Sequence, residues 1–127
     1  MTRLLALDIG DRRTGIALSD ELGLTARALS TVETSVLGET LAGLQSEHGV
    51  TTIIVGRPRS LDGSLGKQAE RVDATVEQLK LAAPAAYIYE DETGTTVAAE
   101  ADADGSRLGM DAEAARVILQ GYLNEHA

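Results

Sequence analysis

The spacing of apolar residues changes along the chain, and each change marks an element. Leu4-Leu5-Ala6-Leu7-Asp8-Ile9 is apolar on both alternating faces except at Asp8. Such a run predicts a strand covered on both sides near the middle of a sheet. Gly15-Ile16-Ala17-Leu18-Ser19 predicts a second strand, and the intervening turn of Gly, Asp and Arg makes the pair a hairpin. Thr25 to Val32 predicts a third, with Gly23 marking the turn before it. From Val36 to His48 the period lengthens: Leu37, Leu41 and Leu44 recur at helical spacing, and Gly49 is a natural stop. Thr51 to Gly56 is a β-branched run and predicts a fourth strand. The Gly, Pro and Asp content of 56–66 predicts a loop. Ala69, Val72, Val76, Leu79 and Ala83 then line one face of a helix that Pro84 ends. Ala86 to Glu90 predicts the fifth strand, Thr95 to about Ala103 a short helix, and Ala112 to Glu125 the last helix. In that last helix Ala115, Ile118, Leu119, Tyr122 and Leu123 face inward.

The predicted order is β-β-β-α-β-α-β-α-α. Three antiparallel strands lead into parallel strands with helical crossovers, an α/β fold with a five-stranded mixed sheet and helices on both faces. That is the ribonuclease H-like order. At 127 residues the chain fits one domain, 1–127, large enough to bury a substantial core.

Composition narrows the chemistry. There is no Phe or Trp, so the core must be built from Leu, Val, Ile and Ala. Cysteine is absent, which excludes disulfides and thiolate metal sites. His48 stands beside Gly49 at a predicted helix end and His126 next to the C-terminus, so neither reads as a ligand or base. Any metal would be held by oxygen, which points to Mg²⁺ or Mn²⁺ rather than zinc. The chain opens with no basic segment followed by a long apolar stretch, and no run reaches membrane-spanning length. The expectation is a cytoplasmic protein with no membrane partner.

The net charge of −9 opposes bulk attraction to nucleic acid. Its distribution softens the objection, because residues 90–127 hold 2 basic and 9 acidic residues and carry most of the excess. Arg12, Arg13, Arg57, Arg59, Lys67 and Arg71 cluster in or beside two turn segments and suggest an anion-facing rim. Arg57 and Arg59 flank Pro58, which stiffens the backbone between them. They could contact phosphates, or pair with Asp62 and Glu70 on the surface. No base-stacking aromatic accompanies either segment, which argues against sequence-specific reading of unstacked bases.

Three acidic positions fall at element ends that this order can bring together. Asp8 is near the end of the first strand, Asp91 and Glu92 close the fifth, and Asp111 precedes the final helix. Converging carboxylates repel one another unless a divalent cation neutralises them, and with one bound they suit phosphodiester hydrolysis. Each has a plainer reading. Asp8 could brace the Gly10–Gly15 turn, Asp111 could be a helix N-cap, and Glu90-Asp91-Glu92 could be a solvated turn. Strand alternation puts Asp91 and Glu92 on opposite faces, so one of the two at most faces a metal. Asp11, Asp20 and Glu21 read as turn residues.

Leu7-Asp8-Ile9-Gly10-Asp11-Arg12-Arg13-Thr14-Gly15-Ile16-Ala17-Leu18-Ser19-Asp20 resembles the opening motif of the YqgF/RuvX family of Holliday-junction-resolvase-like proteins. Val55-Gly56-Arg57-Pro58 with Asp62-Gly63-Ser64, then Gln68 to Val72, is similar to that family's central loop and helix. Asp91-Glu92 with Thr95-Thr96-Val97, and Asp111-Ala112-Glu113 leading to Tyr122-Leu123, resemble its later motifs in the same order. The resemblance implies a ribonuclease H-like fold, divalent-metal nuclease chemistry, and work on the 5′ end of pre-16S rRNA or on branched DNA. It implies Asp8, Glu92 and Asp111 as metal-binding catalytic acids, with Asp91 a neighbouring metal candidate. Arg12, Arg13, Arg57, Arg59 and Lys67 are the candidate contacts to structured RNA or branched DNA, and a homodimer is left open. Two departures stand out: Thr93 follows the Asp-Glu pair where the family has Arg, and the basic stretch before the terminal Asp is reduced to Arg107.

Three hypotheses follow: a metal-dependent nuclease; a nucleic-acid-binding or ribosome-assembly module with weak catalysis; and, from Asp8-x-Gly10, a phosphate-binding ATPase of the actin/sugar-kinase type. The last pairs two such domains, and this chain has length for one.

Overall fold

A computed structural model describes residues 3–57, 66–91 and 107–126, with the backbone alone at 57, 66–68, 91 and 107–111. The strands are β1 (Arg3–Ile9), β2 (Arg13–Ser19), β3 (Ala26–Glu33), β4 (Val50–Arg57) and β5 (Ala86–Asp91). The helices are α1 (Leu37–His48), α2 (Gly66–Ala82) and α3 (Arg107–Glu125), with a 3-10 turn over Thr34–Val36. The strands form one sheet in the order β3-β2-β1-β4-β5. β1 pairs β2 antiparallel and β2 pairs β3 antiparallel, while β1–β4 and β4–β5 are parallel. The five-stranded mixed sheet is therefore the one predicted from the element order.

The run around Asp8 is central as expected, because β1 has a hydrogen-bonded neighbour on each side. Its odd-numbered residues Leu5, Leu7 and Ile9 join Ile16, Leu18, Ile53 and Val55 against α1 and α2. Its even-numbered residues face α3, where Leu4 and Ala6 join Ala17, Ala26 and Ile54 against Ala115, Ile118, Leu119 and Leu123. The five positions read as the inner face of α2 are all buried, including Ala83 just past its end. Gly49 ends α1 at φ 66°, a left-handed conformation that favours glycine, and its N–H bonds the Gln45 carbonyl.

Polar ties fix the layers. Gln45 Nε2 donates to the Pro84 carbonyl at 2.9 Å, joining α1 to the segment after α2. Gln120 of α3 accepts from Ala26 N–H at 2.9 Å and donates to the Leu24 carbonyl at 3.0 Å, anchoring the helix to the start of β3. Among the described residues no helix is long and apolar enough to cross a membrane.

One boundary differs from expectation. α3 begins at Arg107, so Asp111 is the fifth residue of the helix rather than its N-cap. Gly109 is the only weak helix former between them, and a single glycine costs about 1 kcal/mol, too little to delay the start. The short helix predicted over Thr95 to Ala103 lies outside the described residues.

Candidate active site

Asp8 sits on the α3 side of β1, in the row Leu4–Ala6–Asp8, and is half-buried. It is directly opposite Gly15 of β2. On the other side Leu7 is level with Val55, so the next pair of positions is Asp8 and Gly56. Neither flanking position carries a side chain, so the neighbouring strands leave room around the carboxylate. Gly56 is in turn level with Glu90 of β5, which shares Asp8's face by alternation from Ile54 and Gly56. Two strand spacings put the Glu90 backbone about 10 Å from that of Asp8. The sequence places Glu90 at the end of the fifth strand, but does not single it out as a site residue.

The turn after Asp8 is held by other groups. Gly10 N–H donates to the Arg13 carbonyl at 2.9 Å. A Cβ at Gly10 would stand 2.7 Å from that carbonyl oxygen, so the turn needs glycine there. Thr34 N–H donates to the Arg12 carbonyl and Thr34 Oγ1 to the Gly10 carbonyl, each at 2.8 Å. The turn brace assigned to Asp8 as its plainer reading is thus supplied by Thr34. Among the described residues Asp8 has no side-chain hydrogen bond or ion pair. A half-buried carboxylate without a partner is costly, and a cation is the usual remedy.

The donor set available to such a cation is all oxygen. His48 lies across the sheet from Asp8's end, its Nδ1 3.4 Å from Arg3 Nη1. His126 stacks on Tyr122 at the other end of α3, with ring centroids 4.0 Å apart. Oxygen donors alone suit Mg²⁺ or Mn²⁺. Among the described residues no three His, Asp or Glu side chains gather closely enough to hold a metal. Glu92 lies outside the described residues, and Asp91 and Asp111 are described in backbone only, at the end of β5 and within the first turns of α3.

The basic candidates divide in the same way. Arg12 is exposed and Arg13 half-buried in the β1–β2 turn, where both line a cleft of about 570 Å³ with Asp11, Thr31, Glu33 and Ser35. Arg57 ends β4 level with Asp91, and Lys67 is the second residue of α2, both in backbone only. Arg59 lies outside the described residues. Arg71 of α2 pairs with Asp11, a tie between the turn and α2 that the sequence did not signal. Both side chains are more than half exposed, so the pair adds little stability. Asp20 behaves as the turn residue it was read to be. Its Oδ1 accepts from Thr25 and Leu24 N–H groups, which lower its pKa from the usual carboxylate value.

Comparison with known proteins bears on this arrangement. The family model described as RuvX: Holliday junction resolvase matches residues 2–125. A relative from Halalkalibacterium halodurans named "Putative pre-16S rRNA nuclease" is 42% identical over 96% of this chain and 96% of its own length. A protein of the same name from Moorella thermoacetica is also 42% identical, over 96% and 94%. Among solved structures, T. thermophilus RuvC in complex with a Holliday junction substrate gives a TM-score of 0.60 at 12% identity, over 99% of this chain and 96% of that one. At that identity the likeness is one of fold, and it is ribonuclease H-like.

Proposed function

From the premise that the chain belongs to the RuvX family of nucleases, we infer that it hydrolyses phosphodiester bonds in RNA or DNA with carboxylates centred on Asp8. The family is one of divalent-metal-dependent, nucleic-acid-binding enzymes. The observation that carries the reading is Asp8 itself, half-buried between two glycines at the end of the central strand, with no partner among the described residues.

Asp8, Glu92 and Asp111 are the acids assigned to the metal, with Asp91 beside them. Two backbone arguments support the set. β5 ends at Asp91, level with Arg57 at the end of the parallel strand β4, and Glu90 just before it shares the face of Asp8. Gln120 ties α3 to the opposite end of the sheet, and the helix from there back to Asp111 is about 13 Å long. The rise along β1 from Leu4 to Asp8 is also about 13 Å, so the helix is long enough to bring Asp111 to Asp8's edge.

Mg²⁺ or Mn²⁺ held there would activate water and stabilise charge on the phosphate. The protein's part is to supply oxygens at fixed spacing and to orient the backbone. Arg12, Arg13, Arg57, Arg59 and Lys67 are assigned to neighbouring phosphates, which offsets the acidity of residues 90–127. The relatives' name makes pre-16S rRNA the first substrate to test, at its 5′ end as the family resemblance implies, and the family description makes branched DNA the second; the proposed place of work is the cytoplasm. A weakly catalytic binding or assembly module is the second reading, favoured by Thr93 and the lone Arg107.

The test is cleavage of a labelled RNA carrying the 16S 5′ leader and of a labelled four-way DNA junction, with Mn²⁺ or Mg²⁺. Cleavage should stop with chelator and fall at least about a thousandfold, or about 4 kcal/mol of barrier, in Asp8→Asn. The variant should unfold at the same urea concentration or a higher one, because an uncompensated charge has gone. Undiminished cleavage in chelator or in Asp8→Asn would overturn the assignment, and metal-independent binding without cleavage would select the second reading.

A further inference from the structure

Asp8 and Arg12, which follows it in the turn, are held by two different devices. Asp8 is fixed by strand pairing, with β2 on one side and β4 on the other. The turn carrying Arg12 and Arg13 has only its one internal bond, from Gly10 N–H to the Arg13 carbonyl. Arg13, as the first residue of β2, is also paired with Glu33 of β3, so it is Arg12 that depends on contacts from outside the turn. Arg71 reaches Asp11 in an exposed pair, and Thr34 makes the more buried contacts.

Thr34 binds both ends of the turn. Its N–H takes the Arg12 carbonyl, and its hydroxyl takes the Gly10 carbonyl at 2.8 Å. Thr14 Oγ1 lies 2.9 Å from Thr34 Oγ1. A hydroxyl has one proton, and that of Thr34 is committed to Gly10, so Thr14 must be the donor to Thr34. The chain of bonds therefore runs one way, from Thr14 through Thr34 to Gly10. Thr14 is fully buried, which makes its only proton hard to satisfy elsewhere. The two clefts beside the turn share Asp11. Arg12 and Arg13 line the one of about 570 Å³, and Thr34 and Arg71 line a second of about 280 Å³. Thr34 thus lines the narrower cleft while its neighbours Glu33 and Ser35 line the wider one.

We propose that Thr34 is a positioning residue for substrate: its hydroxyl latch sets where Arg12 stands relative to Asp8 and to the strand-paired Arg13. It governs capture of the phosphate backbone and leaves the hydrolytic step to the strand-locked acid. This rests on the nuclease reading, and on Arg12 and Arg13 as its phosphate contacts.

The experiment uses the full chain with a fluorescein-labelled four-way DNA junction. Anisotropy reads Kd without turnover, and cleavage with Mn²⁺ reads KM and kcat. Thr34→Val, which keeps the shape and loses the hydroxyl, should raise Kd and KM about 5–10-fold with kcat within about twofold. Thr34→Ser should stay within about twofold of the parent in all three, since it restores the hydroxyl. Combining Thr34→Val with Arg12→Ala should give less than the product of the single effects, because both act through one arginine. Should Thr34→Val fail to fold, Thr14→Val, which spares the bond to Gly10, is expected to move Kd in the same direction. Normal Kd in Thr34→Val beside raised Kd in Arg12→Ala overturns the latch alone. A fall in kcat at unchanged KM also overturns it, as the mark of a merely structural role. Normal Kd in Arg12→Ala overturns the phosphate-contact reading beneath it, whereas intact binding without cleavage in the parent counts against the nuclease reading and leaves the latch tested by Kd.

Discussion

The two faces of the sheet are packed with different residues. Against α1 and α2 the sheet presents Leu5, Leu7, Ile9, Ile16, Leu18, Ile53 and Val55, and the helices answer with Leu37, Leu41, Val72, Val76 and Leu79. Against α3 it presents Ala6, Ala17 and Ala26 with one large fully buried residue, Ile54, and the partly buried Leu4 at its margin. A buried Leu, Ile or Val contributes about 1.5–3 kcal/mol by transfer from water, and an alanine methyl far less. The first face therefore holds most of the hydrophobic stabilisation. The second trades that for close approach of a helix, and it is the face on which Asp8 stands. Stability and proposed chemistry are thus laid on opposite sides of one strand, by residues that alternate along it.

The sharpest way to test that division is to damage each face separately. Ile53→Ala opens a cavity on the large-residue face and should cost about 2–5 kcal/mol in urea unfolding. Cleavage per folded molecule should survive it, measured well below the unfolding midpoint. Ala115→Leu overfills the alanine face and should cost less, about 1–3 kcal/mol. It should nevertheless lower cleavage about tenfold or more, because it displaces the helix that carries Asp111. If both variants lose activity only in proportion to folding, the division is wrong.

The smallest effect concerns Tyr87, which packs on the large-residue face. Its hydroxyl donates to the Ala83 carbonyl at 2.7 Å, and burial pushes its pKa up to about 12 from an ordinary 10.0. A group whose folded pKa is raised favours the folded state fully below the unfolded pKa, and that share is lost as pH rises through the folded value. Stability should therefore decline between about pH 10 and pH 12. Tyr87→Phe should flatten that part of the pH profile, as read by urea midpoints.

Much of the scaffold was legible because period is a local property. The run at 51–56 and the helix face from Ala69 to Ala83 were read correctly from spacing alone, since each residue's burial follows its own element's geometry. Boundaries were less legible. Asp111 has the chemistry of an N-cap, yet the helix starts at Arg107, because a capping residue permits a start without requiring one. The contacts that shape the site were not legible at all. Thr34 is 24 residues from Gly10, and Arg71 is 60 from Asp11; no local signal joins either pair.

The order of elements, the central place of the Asp8 strand, the aliphatic core and the oxygen-only donor set all follow from residue types and their spacing. Each depends on geometry within a few residues, where backbone sterics and hydrophobic burial leave few alternatives. Tertiary structure alone decided that glycines flank Asp8 on both neighbouring strands, that Thr34 rather than Asp8 braces the turn, and that the two faces of the sheet divide into large residues and alanines. Those outcomes depend on strand register and on bonds between distant segments. They are set only when the sheet closes, because one residue of slip would move every side chain to the other face.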